Sequence, residues 1–341
     1  MFRAIVFFGL IMSAIVSYSG ESRLALKGAR DDPRGSGVMT VYACASLANA
    51  KNIEIRMPDD TVASLSDFIE RVHRFRELWN TSADRELWFR GESKNHESKL
   101  RPKIYRPPEK RRMRPVSELL KIENDLYEEF QRCGVQLCDQ RIEEEEWDWD
   151  WYFLMQHHGG PTRLLDWTDG ALIALHFALR DKPKGDADPA LVYVLEPDRL
   201  KDQLYALPET ALTIKDWRDY AKEDPYYKGK EDKWENAYLP GDEEDLRKMN
   251  IPKLPLLLYF PHITRRVAAQ RSRFMVFGTS ESWLSDEFEK ANSPIGEITI
   301  EATCIPSLKI ELRESGVVES VIFPDLDGLG REMNQLWQDR K

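Results

Sequence analysis

Two short segments of this chain concentrate the side chains that carry out binding and catalysis. They are residues 87–93 and 156–168, and both place charged and aromatic groups next to glycine. Burying such polar groups is costly unless they pair with one another or with a ligand. We therefore expect the functional site in these two segments, with anion recognition or proton transfer as its chemistry.

Arg90 stands at the end of a predicted strand and is followed by Gly91. A guanidinium group offers a planar fork of donors that suits a phosphate or a carboxylate. The glycine allows a ligand to approach the backbone closely, and Ser93 lies beside it as a further ligand-binding candidate. The alternative is structural, namely a buried ion pair between Arg90 and Asp166 that organises the loop.

The adjacent histidines His157 and His158 are candidates for acid–base chemistry. Neighbouring residues on a helix point in different directions, so the two are not expected to ligate one metal ion together. One of them could serve as a general base or as a hydrogen-bond donor to a ligand; the alternative is packing against Trp151. Asp325 and Asp327 lack the remaining ligands of a calcium loop, so a hydrogen-bonded turn is favoured there.

The run from Thr162 to Thr168 is predicted to form a turn that joins two helices. Asp166 or Thr168 would cap the second helix, but capping does not account for Arg163 and Trp167. A tryptophan face combined with arginine and threonine donors suits a ligand that contains both a ring and a phosphate. We predict that the residues of this run bind such a ligand.

Several of these residues also form longer motifs: Phe89-Arg90-Gly91, the run from His157 to Thr168, and Ala174-Leu175-x-Phe177-Ala178. Together they resemble the FRG domain family, which takes its name from the Phe-Arg-Gly signature. Two later stretches, Arg266-x-x-x-Gln270-x-x-x-Phe274 and Phe323-Pro324-Asp325-Leu326-Asp327-Gly328, are similar to motifs of the same family. The resemblance implies a protein from bacteria or their viruses, and it implies a family rather than a reaction.

The layout is also similar to that of the ADP-ribosyltransferase superfamily. By that resemblance Arg90 would hold the pyrophosphate of NAD, Trp167 or a histidine would flank the nicotinamide, and Gln270 or Glu319 would take the late catalytic role. The chain departs from that pattern, because it has no Ser-Thr-Ser strand and no Glu-x-Glu motif. The alternative is a non-catalytic module that binds a nucleotide or phospho-ligand in a bacterial defence or regulatory system.

Composition restricts the partners of the protein. Lys+Arg 49 against Asp+Glu 59 gives a net charge of −10. Nucleic acid is therefore an unfavoured partner, because phosphate backbones require a basic surface. A small phosphorylated ligand and a protein acceptor remain as expected partners. The chain has no GxGxxG, Walker or GxSxG motif, so it is not an obvious dehydrogenase, P-loop enzyme or α/β-hydrolase.

The start of the chain leaves its location open. Residues 4–16 form an apolar run too short for a membrane span. The run resembles a signal peptide, and the alternative is a start codon misplaced upstream of Met39. The four cysteines show no paired spacing, which fits a reducing cytosol. Cytoplasmic location is favoured, with secretion or membrane association as the alternative if residues 1–19 are a signal.

Hydrophobic periodicity predicts the elements that position the motifs. Helices are expected at residues 64–78, 117–130, 147–158, 171–179 and 330–337, and strands at 86–90, 191–195, 274–277, 298–303, 308–312 and 317–323. The predicted organisation is a leader (1–19), a linker (20–60) and one large domain (61–341) with its motif core at 82–182 and a charged insertion at about 215–250. We predict an α+β fold with a mixed, mainly antiparallel sheet flanked by helices.

Overall fold

The computed structural model describes residues 62–93, 99–106, 113–137, 147–181, 187–259 and 264–339. These residues belong to one compact unit, Asn52–Lys341; the second unit, Met1–Lys51, lies outside the described residues. The predicted leader and linker therefore lie outside the described residues as well.

The described chain contains six strands and twelve α-helices. The strands are β1 (Trp88–Glu92), β2 (Leu164–Thr168), β3 (Ala190–Leu195), β4 (Leu256–Leu258), β5 (Ser272–Val276) and β6 (Ile295–Ile300). The helices are α1 (Leu65–Trp79), α2 (Val116–Gly134), α3 (Trp147–His157), α4 (Ala171–Arg180), α5 (Pro197–Tyr205), α6 (Pro208–Glu223), α7 (Glu243–Lys248), α8 (Arg265–Ala269), α9 (Trp283–Phe288), α10 (Ile305–Glu314), α11 (Glu319–Ile322) and α12 (Leu326–Asp339).

Local sequence signals account for α1, which the sequence predicted. The Ser64 side chain accepts from the Asp67 amide and the Asp67 carboxylate accepts from the Ser64 amide, so a capping box begins the helix. Asn80 ends it in the left-handed conformation at φ 52°. The inward face buries Phe68 and Phe75, and this apolar stripe holds α1 against the sheet.

The strands form one antiparallel sheet in the order β4-β5-β2-β1-β3-β6, which confirms the predicted α+β class. The central β1–β2 contact consists of a single registered pair, Phe89↔Thr168. On its other edge β1 pairs with β3 along its full length, and on its other edge β2 pairs with β5 along its full length. The sheet is therefore two three-stranded halves that are joined briefly and then separate.

Helices cover the two halves of one sheet face with separate apolar clusters. The α3 cluster packs on Leu164 and Phe274 of one half, while α4, α1 and α10 pack on Phe89 and Val192 of the other. A Cβ on Gly91 would lie 1.9 Å from the Ala174 carbonyl oxygen, so only glycine allows α4 to lie this close to β1. We call the face covered by α3 and α4 the helical face.

Three predicted elements were wrong. Residues 164–168 form strand β2 rather than a turn, residues 308–312 belong to helix α10, and residues 317–323 contain the short helix α11. The buried residues of α10 are Ile305, Leu308 and Leu312, which follows a helical period and not a strand alternation. For β2 the apolar pair Leu164-Leu165 hid the alternation, because a central strand is buried on both faces.

The charged segment at about 215–250 contributes aromatic residues to the core. Trp217 and Tyr238 are almost fully buried and pack in the same cluster as Trp149 and Tyr152 of α3. This segment therefore supports the half of the sheet that carries β2. In the part of the chain that the structure describes, no helix is long and apolar enough to cross a membrane.

Candidate functional site

An exposed carboxylate interrupts the buried centre of the sheet. Strand β2 is third of six, and Leu165 and Trp167 on either side of Asp166 are buried while Asp166 itself is exposed. The reason is that the helical face carries two separate apolar clusters, one on each half of the sheet. Asp166 lies between them, near the point at which β1 and β2 separate, and its side chain is exposed to solvent there.

The Asp166 carboxylate is held in place by two polar side chains. Its Oδ2 accepts a hydrogen bond of 2.6 Å from Gln156 Nε2. The Gln156 Oε1 in turn accepts one of 2.5 Å from Thr162 Oγ1, which itself accepts from the Leu164 amide at 3.1 Å. Because the hydroxyl fixes the orientation of the amide, the carboxylate is presented to solvent in one defined position.

His157 lies within electrostatic reach of Asp166. Its Nδ1 lies 2.9 Å from the Phe153 carbonyl oxygen, and its ring packs edge-on against Phe274. Burial lowers the pKa of His157, although the charge of Asp166 opposes this shift. The neutral ring donates through Nδ1 to the carbonyl and keeps Nε2 as an acceptor. His158 is exposed at the end of α3, so the two histidines occupy different environments.

The charge of Arg266 on α8 interacts with those of Asp166 and His157, and we call the group formed by Gln156, His157, Asp166 and Arg266 the central cleft. Burial lowers the pKa of Arg266, and the charge of Asp166 is among the groups that oppose this. The charge of Arg266 also lowers the pKa of His157, although burial lowers it more. The cleft thus brings together one carboxylate, one guanidinium and one imidazole from three separate elements.

Arg90 bridges the separation between β1 and β2. Its Nη1 donates to the backbone carbonyl of Asp166 at 2.8 Å, and its Nε donates to Glu92 Oε1 at 3.0 Å. The proposed partner was the Asp166 carboxylate; the observed partner is the carbonyl of the same residue. Because Gly91 faces α4, Arg90 projects toward the opposite face of the sheet.

A second charged group surrounds Arg90 on that opposite face. Glu92 is 5% exposed, and its Oε1 also accepts from Arg106 at 3.4 Å. Burial lowers the pKa of Arg106, as does the nearby charge of Arg90. Ser93 follows β1 directly and is half-buried. Glu92 therefore neutralises part of the positive charge of Arg90 and Arg106 near the point at which β1 and β2 separate.

Arg163 and Trp167 lie in the core and are not exposed at the central cleft. Arg163 is 2% exposed, and its guanidinium donates to Glu123 Oε2 at 2.5 Å, to the Tyr238 carbonyl at 2.6 Å and to the Phe277 carbonyl at 3.2 Å. Trp167 is 2% exposed. Sequence reasoning missed Glu123 as the partner, and its place on the inward face of α2 beside Leu119 was the available signal.

Thr168 and Gln270 fasten β2 to the loop before β5. Thr168 Oγ1 donates to the Gln270 carbonyl at 2.8 Å and accepts from the Gly170 amide at 3.0 Å. The Gln270 side chain is 9% exposed and donates to the Ile322 carbonyl at 3.4 Å. Both residues thus bond to protein groups near the cleft.

Glu319 begins helix α11 instead of lying on the strand predicted at residues 317–323, and it is 1% exposed. Its carboxylate accepts from Arg180 at 2.8 Å and from Arg331 at 2.6 Å, and lies 3.2 Å from His176 Nε2. Arg180 and His176 belong to α4 on the helical face. Glu319 and the side chain of Arg90 therefore lie on opposite sides of the sheet.

The structure thus separates the predicted site residues into three groups. His157, Thr162 and Asp166 meet at the central cleft, where Gln156 and Arg266 had not been assigned a role. Arg90 and Gly91 lie on β1 and Ser93 directly follows it, where β1 separates from β2. Arg163 and Trp167 are core residues. Among the described residues, no group of three His, Cys, Asp or Glu side chains could hold a metal ion.

Residues 85–187 match the family model of the FRG domain. This range begins just before β1, ends after α4 and contains both motif segments, so it holds Arg90, Gln156, His157 and Asp166. The chain therefore contains an FRG domain over these residues. No curated protein and no solved structure matches the chain.

Proposed function

We propose that this FRG domain-containing protein binds a phosphorylated small molecule at the central cleft, with NAD as the first candidate. The observation that supports this most strongly is the exposed, fixed carboxylate of Asp166 in a strand whose other residues are buried. An ionised carboxylate accepts hydrogen bonds only. It suits the hydroxyl groups of a ribose, or positive charge on a ligand ring.

The basic groups around the cleft favour a ligand that also carries phosphate. Arg266 lies on the helical face, and its charge interacts with those of Asp166 and His157. Guanidinium groups bind phosphate oxygens with strong, directional hydrogen bonds. A nucleotide would satisfy both requirements, with its sugar at Asp166 and its phosphates toward Arg266.

Binding without turnover is better supported than catalysis. The side chains proposed for the late catalytic role, Gln270 and Glu319, bond to protein groups outside the cleft. NAD cleavage remains a second candidate, because the Asp166 carboxylate could stabilise an oxocarbenium-like centre as nicotinamide leaves. In that case Asp166, rather than Gln270 or Glu319, would be the catalytic carboxylate.

Replacing Asp166 with asparagine tests the proposal. The change keeps the size of the side chain but removes its charge, so we expect at least about a tenfold loss of NAD affinity from the lost charge-assisted hydrogen bonds. Calorimetric titration of the full-length protein measures this, and an assay for released nicotinamide separates binding from cleavage. Asp202→Asn, at an exposed position on α5, is the matched control and should bind like the wild type.

The outcomes discriminate between the candidates. Binding with nicotinamide release that Asp166→Asn abolishes would establish a NAD-cleaving enzyme, and binding without release would establish a binding module. If the wild type does not bind NAD, ADP-ribose or AMP at millimolar concentration, the proposed ligand class is wrong. Equal affinity of the wild type and Asp166→Asn would exclude the central cleft as the site.

A further inference from the structure

Three arginines surround one aromatic ring beside the central cleft. The guanidinium carbons of Arg180, Arg266 and Arg331 lie 4.6, 4.6 and 4.8 Å from the centre of the Phe323 ring. They come from α4, α8 and α12, so the tertiary fold assembles them. We call these three residues the arginine cluster. Like charges this close repel one another, and the cluster requires neutralising groups.

Glu319 supplies one of these groups. Its side chain is fully buried and pairs with Arg180 and Arg331. Burial alone would raise the pKa of Glu319, but the hydrogen bonds from these two arginines outweigh it and the pKa is lowered. Burial lowers the pKa of His176, the third partner of this carboxylate, so His176 is neutral at pH 7 and adds no charge.

Arg266 remains without a carboxylate at ion-pair distance among the residues that the structure describes. Its Nε is buried and has no hydrogen-bond partner there. Of the charges that oppose the lowering of the Arg266 pKa, that of Asp325 has the largest effect. Asp325 also has another partner, because its Oδ1 accepts from the Gly328 amide at 2.7 Å at the start of α12. Arg180 and Arg331 thus share Glu319, and Arg180 also lies 3.9 Å from Asp181, whereas the buried Nε of Arg266 is left as an unpaired donor.

We propose that the arginine cluster binds a phosphate group, and specifically the phosphate of the ligand in the central cleft. The side chains of Arg180 and Arg331 are 23% and 41% exposed, so an anion from solvent can reach them. The Phe323 ring holds the three planar groups by cation–π contact. An oxyanion with several acceptor oxygens would accept from the unpaired Nε of Arg266 and from donors of Arg331 that Glu319 does not use.

The position of Arg266 connects the cluster to the cleft. Arg266 belongs to both, since it contacts Phe323 and its charge interacts with those of Asp166 and His157. A ligand with its sugar at Asp166 would therefore direct its phosphates toward the cluster. This inference rests on the proposed function, and it adds that pyrophosphate or a phosphate monoester is the part of the ligand that is recognised here.

Titration of the full-length protein with inorganic pyrophosphate tests this assignment apart from NAD. We expect the wild type to bind, and Arg266→Gln to bind at least about tenfold more weakly because a charged donor fork is lost. Arg266→Lys keeps the charge without the fork and should fall between the two. Arg199→Gln, at an exposed position on α5, is the control and should match the wild type.

The results expected if this inference fails differ from those expected if the proposed function fails. If Arg266→Gln binds pyrophosphate as tightly as the wild type, or the wild type does not bind it, the cluster is not a phosphate site. If NAD binding depends on Asp166 but not on Arg266, only the inference fails. If pyrophosphate binding depends on Arg266 while NAD does not bind, only the NAD proposal fails. Circular dichroism of Arg266→Lys and Arg266→Gln establishes that both variants are folded.

Discussion

Burial and hydrogen-bond partners divide the polar residues of the second motif segment into structural and ligand-facing groups. Arg163 is buried and donates to three partners on separate elements. Asp166, three positions later, is exposed and is held by the amide of Gln156. Successive side chains of an extended segment point to opposite faces, so residues this close in sequence serve different purposes.

The buried ion pair between Glu123 and Arg163 is expected to be essential for folding. Glu123→Gln removes the charge and leaves the Arg163 guanidinium buried without a counter-ion, because both side chains are at most 2% exposed. Removing one partner of such a pair destabilises a protein by about 3–5 kcal/mol. Urea unfolding followed by tryptophan fluorescence measures the change in the free energy of unfolding.

The matched control for this prediction lies on the same helix. Glu129 is exposed on α2 and pairs with Arg132 three residues later. Glu129→Gln should therefore change the free energy of unfolding by less than about 0.5 kcal/mol. A loss of under about 1 kcal/mol in Glu123→Gln would contradict the prediction that this pair is essential for folding.

The close contact between α4 and β1 controls the geometry of the sheet at the element scale. Gly91→Ala places a Cβ 1.9 Å from the Ala174 carbonyl oxygen and 2.5 Å from the Ala178 amide nitrogen, both backbone atoms that cannot rotate away. We expect a destabilisation of about 1–3 kcal/mol or more, since the helix must move. Thermal unfolding by circular dichroism measures it.

Gly330 in α12 provides the comparison, because a Cβ added there meets no atom within 4 Å. Alanine has the higher helix propensity, so Gly330→Ala should be neutral or stabilising by up to about 1 kcal/mol. Equal effects of the two substitutions on thermal unfolding would mean that the close contact at Gly91 does not make alanine destabilising there. The Phe-Arg-Gly signature thus has a packing requirement at its glycine that is independent of any ligand.

Sequence patterns predicted some elements and missed others for a physical reason. The capping box and apolar stripe of α1 are local signals, and the helix was confirmed. Strand β2 gave no such signal, because Leu164, Leu165 and Trp167 are buried on two different faces. Its identity as a strand follows from pairing with β5, a contact between residues more than a hundred positions apart.

At the scale of the whole molecule, the fold is two half-sheets that meet at Phe89 and Thr168. Each half has its own cluster on the helical face, and the central cleft lies over their junction. Arg90 donates across this junction to the Asp166 carbonyl. The position of the candidate site is therefore a property of how the halves meet rather than of either half alone.

The stability of the whole molecule is expected to fall as the solution becomes mildly acidic. Burial lowers the pKa of His157 and of His176 from 6.5, so the unfolded chain binds these protons more tightly than the folded one. Their contribution is fully present above pH 6.5 and is lost as the pH falls below that value. Urea unfolding at pH 7.5, 6.5 and 5.5 measures the dependence.

Substituting both histidines tests the cause of that slope. The double variant His157→Gln and His176→Gln should show a weaker decline between pH 6.5 and 5.5 than the wild type. His73→Gln on α1, where the side chain is exposed, should retain the wild-type decline. If the double variant keeps the full decline, other groups are responsible and the buried histidines do not control acid stability.

The sequence alone predicted the domain family, the α+β class and the segment 156–168 that supplies most residues of the proposed central cleft, because motifs, helix caps and apolar periods are local properties. Tertiary structure decided which motif residues face solvent, since this depends on strand pairing and on the helices that cover each face. It placed Arg163 in the core with Glu123 and left Asp166 exposed. It also assembled Arg180, Arg266 and Arg331 around Phe323, which no local pattern could reveal because the residues are far apart in the chain.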